Sequence, residues 1–82
     1  MEPRWIRLAS SILEAVAYDP AGRRLLLRFR TGAIFEYENV PPVVYEELLA
    51  APSKGRYFSE YVRPDYPYRR VRAAEGAPAA AR

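Results

Sequence analysis

At 82 residues the chain has room for one domain, burying about 60–65% of its unfolded surface around a single thin core. Half of the residues are hydrophobic and 13% are aromatic, so large rings are expected to supply most of that core. Cysteine and histidine are both absent, which excludes a disulfide framework, a thiolate zinc site and the commonest general base and metal ligand.

No apolar run approaches the ~20 residues of a membrane helix, so no membrane is expected among the partners. The N-terminal stretch MEPRWIRLASSILEAVA has the outline of a signal peptide. Glu14 interrupts its apolar part and the strand-like pattern continues through Tyr18, which points to a cytoplasmic protein. The net charge of +3 is unevenly spread. Residues 1–52 hold six arginines against seven acids, a net of −1, whereas residues 53–82 hold Lys54 and six arginines against three acids, a net of +4. Arginine outnumbers lysine twelve to one and alanine is abundant, a pattern that a GC-rich genome also produces.

Met1–Ala9 is expected to run extended, with Trp5, Ile6 and Leu8 offering apolar contacts. A first strand follows over Ile12–Tyr18. Leu13, Val16 and Tyr18 cannot share one face of a regular strand, which calls for a β-bulge near Glu14-Ala15. Asp19-Pro20-Ala21-Gly22 is a turn, with proline pre-set in φ and glycine free to go left-handed. Arg24–Val40 then reads as a hairpin with Leu25, Leu27, Phe29, Phe35 and Tyr37 on one face. A three-residue loop, Thr31-Gly32-Ala33, with a positive φ at Gly32 or its neighbour, places Phe29 opposite Phe35, Leu27 opposite Tyr37 and Arg28 opposite Glu36. Pro41-Pro42 opens a helix whose apolar stripe is Val44, Tyr45, Leu48 and Leu49. Pro52 ends it. Ser53 caps a second short helix carrying Tyr57, Phe58, Tyr61 and Val62, which Pro64 stops. Asp65–Val71 is extended or turn-like, and the Ala-rich residues 73–82 form a flexible tail. The predicted architecture is α+β: a three-stranded antiparallel β-meander with two short helices packed on one face. One domain spans residues 1–72, with its core in 10–71.

The strand carboxylates Glu14, Glu36 and Glu38 are placed among Arg28 and Arg30, where cross-strand ion pairs of ~0.2–1 kcal/mol account for them better than acid–base catalysis does. Ser10-Ser11 has no histidine to activate it, so no enzyme activity, cofactor or metal is expected. Ser53-Lys54-Gly55-Arg56 has two compatible readings. It can gather backbone N–H groups around a phosphate, or it can be a helix connection in which Ser53 caps and Gly55 permits close approach. Beyond it, Tyr57, Phe58, Tyr61, Tyr66 and Tyr68 interleave with Arg56, Arg63, Arg69, Arg70 and Arg72. Single-stranded RNA binding uses such residues, with rings stacking on bases and guanidinium groups meeting phosphates, although part of the ring set belongs to the core.

Taken together, the residues resemble the KTSC domain over roughly Ser10 to Val71. The resemblance rests on Ser10-Ser11, on Tyr18-Asp19 before the turn, on Phe29 with Gly32, and on Phe35-Glu36-Tyr37. It continues through Val40-Pro41, Val44-Tyr45, Leu48-Leu49, Ala51, Ser53, Gly55, Tyr57-Phe58, Arg63, Tyr66 and Tyr68. Two positions depart from the family pattern: Phe35 leads the motif that is tyrosine-x-tyrosine elsewhere, and Ala17 replaces a glycine. The family takes its name from the C-terminus of some lysyl-tRNA synthetases and also occurs as small stand-alone bacterial proteins, which implies an RNA- or tRNA-associated accessory role. The expected nucleic-acid contacts are Ser53, Lys54, Gly55, Arg56, Arg63, Tyr66, Tyr68, Arg69 and Arg70. The alternative is a protein–protein interaction module using a sheet edge or the Trp5–Leu8 arm.

Overall fold

Period-two alternation folds the chain into one antiparallel sheet of five strands in sequence order, in a computed structural model that describes residues 4–71. The strands are β1 (Ile6–Arg7), β2 (Leu13–Asp19), β3 (Arg24–Phe29), β4 (Ile34–Tyr37) and β5 (Tyr68–Val71). Between β4 and β5 lie α1 (Pro42–Ala50) and α2 (Lys54–Tyr57), the latter running directly into a π-helical turn, Phe58–Val62. The α+β class and the central meander are as expected. The strand count is corrected from three to five, because the N-terminal arm and the segment after Pro67 each add an edge strand. Both are short and lack apolar alternation, so neither carries the pattern that marks a half-buried strand. The tail expected over 73–82 lies outside the described residues.

The bulge in β2 is where the mismatch of Leu13 and Val16 requires it. Leu13 pairs with Phe29 and Ala15 with Arg28, a register shift that consumes Glu14. In the turn after β2, the Ala21 N–H donates to Asp19 Oδ1 at 3.1 Å, and the positive φ falls on Arg23 (56°) rather than on Gly22. A Cβ on Gly22 would stand 2.9 Å from Asp19 Oδ2, so glycine there leaves room for the carboxylate.

The β3–β4 hairpin keeps the predicted faces but shifts the predicted register by two. Leu27 pairs with Phe35, Leu25 with Tyr37, and Arg28 with Ile34. The Phe29 N–H donates to the Ala33 carbonyl at 2.8 Å and the Gly32 N–H to the Phe29 carbonyl at 2.9 Å. The three-residue loop is therefore Arg30-Thr31-Gly32, with Gly32 at φ 98° closing a type I turn plus bulge. A shift of two preserves which side chains share a face, so the core composition is unaffected while every cross-strand partner changes.

One face of the sheet packs against the helices. Leu13, Val16, Leu25, Leu27 and Tyr37 meet Val40, Leu48, Phe58 and Val62 there, with Leu8 closing the β1 side. In α1, Pro42 takes the first helical position and Leu48 is the fully buried member of the stripe, with Val44, Tyr45 and Leu49 partly buried. The Arg63 N–H reaches back to the Phe58 carbonyl at 2.9 Å, giving the π turn its wider ring. Phe58 and Val62 face the sheet, whereas Tyr61 turns outward and is 53% exposed.

Candidate nucleic-acid interface

β5 decides where the arginine–tyrosine segment sits. The Glu38 N–H donates to the Pro67 carbonyl at 2.9 Å, which makes that pair, and by alternation Glu36–Arg69, the hydrogen-bonded pairs of the β4–β5 ladder. Tyr37–Tyr68 and Phe35–Arg70 are the intervening pairs. Their side chains approach closely on the helix-side face, and the N–H and C=O of Tyr68 and Arg70 turn toward the open edge.

Five rings form a closed circuit on that face. Phe29 meets Phe35 at 5.7 Å and Phe58 at 5.4 Å, and Phe58 meets Tyr37 at 5.5 Å. Tyr68 then closes it, 5.4 Å from Tyr37 and 5.6 Å from Phe35. Tyr37 and Phe58 are buried, Phe29 and Phe35 half-buried, and Tyr68 is 57% exposed. Burial, reinforced by Tyr68 and opposed by Arg63, pushes the Tyr37 hydroxyl up to about 12. Arg63 is exposed and directly follows the π turn that seats Phe58 against these rings. Arg70 is exposed beside Phe35.

The other predicted contacts fall into separate groups. Tyr66 is half-buried against the core. Arg69 points to the opposite sheet face, where its Nη2 lies 3.1 Å from Glu36 Oε1. Arg24 holds the other carboxylate oxygen at 3.3 Å, so Glu36 is buried between two guanidinium groups. This corrects the expected pairing of Glu36 with Arg28. Arg28 instead lies over the Trp5 ring at 4.7 Å, and Arg30 donates to the Ser10 and Leu8 carbonyls at 2.8 and 3.2 Å.

At the second helix, Ser53 Oγ accepts from the Arg56 N–H at 3.3 Å, as a capping serine does. Lys54 Nζ donates to the Ala51 carbonyl at 2.8 Å, satisfying the C-terminal end of α1. Arg56 pairs with Glu60 at 3.0 Å. Gly55 is buried, and a Cβ there would stand 3.1 Å from Ile12 Cδ1, so the close approach is to the start of β2 rather than to α1. Ser53–Arg56 is thus occupied with internal contacts and stands apart from the β5 edge in its partners. Nearby, Tyr57 donates to Glu47 Oε1 at 2.7 Å and lies 5.0 Å from Tyr61. Burial and then the Glu47 carboxylate push the Tyr57 hydroxyl up to about 12.

Sequence periodicity marks Phe35 and Tyr37 only as core, yet they support the exposed ring of Tyr68. The signal for that role is the pairing of β4 with β5, which a four-residue polar strand does not announce. No group of acidic residues that could hold a metal ion occurs among the described residues, and no helix there is long and apolar enough to cross a membrane.

Comparison with known proteins connects this arrangement to others. The KTSC domain family matches residues 9–66. A protein from Tsukamurella paurometabola is 49% identical over 57 residues, covering 70% of this chain and 85% of that one. A lysine–tRNA ligase of a Nostoc species is 41% identical over 61 residues, 74% of this chain but 11% of the ligase. The crystal structure of a KTSC domain protein from Yersinia pestis superposes with a TM-score of 0.82 at 28% identity, covering 84% of this chain and 97% of that one. The match spans β2, β3 and β4, both helices and the π turn and stops short of β5, and it covers more than half of the chain, so the chain belongs to the KTSC domain family.

Proposed function

We propose that this domain is a non-catalytic accessory module that associates with RNA through the β5 edge, with Tyr68, Arg70 and Arg63 as its contacts, while Tyr66 packs beneath and Arg69 holds Glu36 on the opposite face. The observation that carries the reading is the exposed Tyr68 ring, backed by Phe35 and Tyr37 and sharing its face of β5 with the exposed Arg70. An exposed aromatic with arginines near it is the combination that nucleic-acid surfaces use. The lysine–tRNA ligase relatives add support. Their likeness to this chain is confined to 11% of the ligase, which fits a domain attached to an RNA-handling enzyme rather than its catalytic part. At α2, Lys54 and Arg56 carry positive charge whose primary contacts are internal, and Ser53 and Gly55 shape the helix start.

Equilibrium binding to RNA across a salt series tests this. On a single strand, every phosphate that is no longer neutralised lowers the logarithmic salt slope by ~0.7. Replacing Arg63 and Arg70 with glutamine is expected to flatten the slope, while the same replacement at Arg7 and Arg23 leaves it nearly unchanged. Equal behaviour of the two pairs, or RNA binding no stronger than that of a charge-matched unrelated domain, overturns the reading.

A second reading has its own support. The outward N–H and C=O groups of Tyr68 and Arg70 offer a partner strand hydrogen-bonding positions on the β5 edge. The N-terminal arm is a weaker docking element, because β1 pairs it to β2 and Arg30 holds it by two carbonyls.

A further inference from the structure

Building on the RNA-associated reading, we propose that the ligand is taken unpaired: a splayed base of single-stranded RNA stacks on the Tyr68 ring while Arg70 and Arg63 meet the flanking phosphates. Two tyrosines are more than half exposed, Tyr61 at 53% and Tyr68 at 57%, and their surroundings differ. Tyr61 lies against Tyr57, whose hydroxyl is bonded to the Glu47 carboxylate, and the nearby Arg56 is already paired with Glu60. A phosphate approaching that ring meets acids. Tyr68 shares its face of β5 with the exposed Arg70, and neither Arg70 nor Arg63 forms an ion pair with an acid among the described residues, while the exposed acids Glu38 and Asp65 lie toward the start of the strand, away from Arg70.

Tyr68 is also held in place. Its ring rests on Tyr37 at an interplanar angle of 31° and on Phe35 at 53°, and both of those rings are locked into the circuit with Phe29 and Phe58. A platform ordered before the ligand arrives loses little further side-chain freedom on stacking. The outward N–H and C=O of Tyr68 and Arg70 lie on the same strand, within the reach of a base edge or a ribose 2′-hydroxyl. An A-form duplex keeps its base faces covered and hides its base edges in a deep major groove, so a single exposed ring on an edge strand has nothing in it to stack on.

The test compares a short oligouridine with an RNA duplex of matched phosphate count, at fixed salt and across a salt series. The proteins are the parent, Tyr68→Ala, Tyr68→Phe and Tyr61→Ala. Their urea midpoints are checked alongside, and the exposure of both tyrosines makes folded variants the expectation. The oligouridine is expected to bind more tightly than the duplex. Tyr68→Ala should weaken it by roughly 5- to 150-fold without changing the salt slope, because stacking releases no counterions. Tyr68→Phe and Tyr61→Ala should bind as the parent does. Duplex binding as tight as single-strand binding, with Tyr68→Ala indistinguishable from the parent, overturns this inference while leaving RNA association intact. A polyglutamate peptide that binds as well as the oligouridine also overturns it, in favour of an acidic partner chain on the same edge. Failure of both RNAs to bind overturns the inference and the reading beneath it together.

Discussion

Glu36 and Tyr37 are neighbours in sequence and face opposite sides of the sheet. Glu36 is 6% exposed, and its two oxygens are held by Arg24 and Arg69. Replacing it with alanine leaves two guanidinium groups beside each other without an acid. Since those side chains are 60% and 57% exposed, water offsets part of the loss, and the expected cost is about 1–2 kcal/mol. The urea midpoint of Glu36→Ala measures it, and a double-mutant cycle with Arg28 should show no coupling. Tyr37 reports on the other face. Burial, which disfavours the anion, pushes its hydroxyl from the ordinary 10.0 up to about 12 on folding. Between those values the unfolded state has released a proton that the folded state keeps, so stability falls as pH rises through that window and is complete below it. Tyr57, raised in the same direction, adds to the effect. Stability measured at both ends of the window should fall less in Tyr37→Phe than in the parent, and equal decreases would show that Tyr37 does not contribute.

Among the elements, the β3–β4 hairpin depends most on a single residue. Gly32 takes φ 98° to close the loop, and although nothing lies near an added Cβ, a side chain there strains the backbone. Gly32→Ala is expected to cost about 1–3 kcal/mol in denaturant unfolding. An unchanged midpoint would mean that the loop relaxes to another turn. The same hairpin illustrates what the sequence carries. Leu25, Leu27, Phe29, Phe35 and Tyr37 alternate, so their shared face is legible, as is the bulge forced by Leu13 and Val16. The register is not, because moving it by two leaves that face intact and hydrophobic patterning cannot tell the options apart. Prolines and the capping serine locate both helices to within a residue or two. The edge strands have no such markers. β1 is two exposed residues, and Tyr68-Arg69-Arg70 in β5 is polar and exposed, so their pairing comes from a sheet already formed beside them.

For the molecule as a whole, the two halves of the chain divide the work. The N-terminal half supplies the meander, and the C-terminal half supplies its cover and then returns as β5 to place the basic, aromatic segment along an edge. Composition alone marks the predicted binding residues, and the sheet then separates them. Tyr68 and Arg70 share the helix-side face, Arg69 belongs to the Glu36 cluster on the other, and Lys54 and Arg56 stay with the second helix. Because that sorting follows from β5 pairing, a sequence alone can rank these residues only by type. Family membership extends the same framework to lysine–tRNA ligases, where a domain of this kind accounts for a small part of a much longer chain. If the β5 edge meets RNA in the cell, ultraviolet crosslinking in the native host, followed by mass spectrometry of the crosslinked peptides, is the most direct test. Nucleotide adducts are expected on the peptide containing Tyr68 and should disappear in Tyr68→Ala. Recovery of the protein free of RNA, with a stoichiometric protein partner on that edge instead, would contradict RNA association at β5.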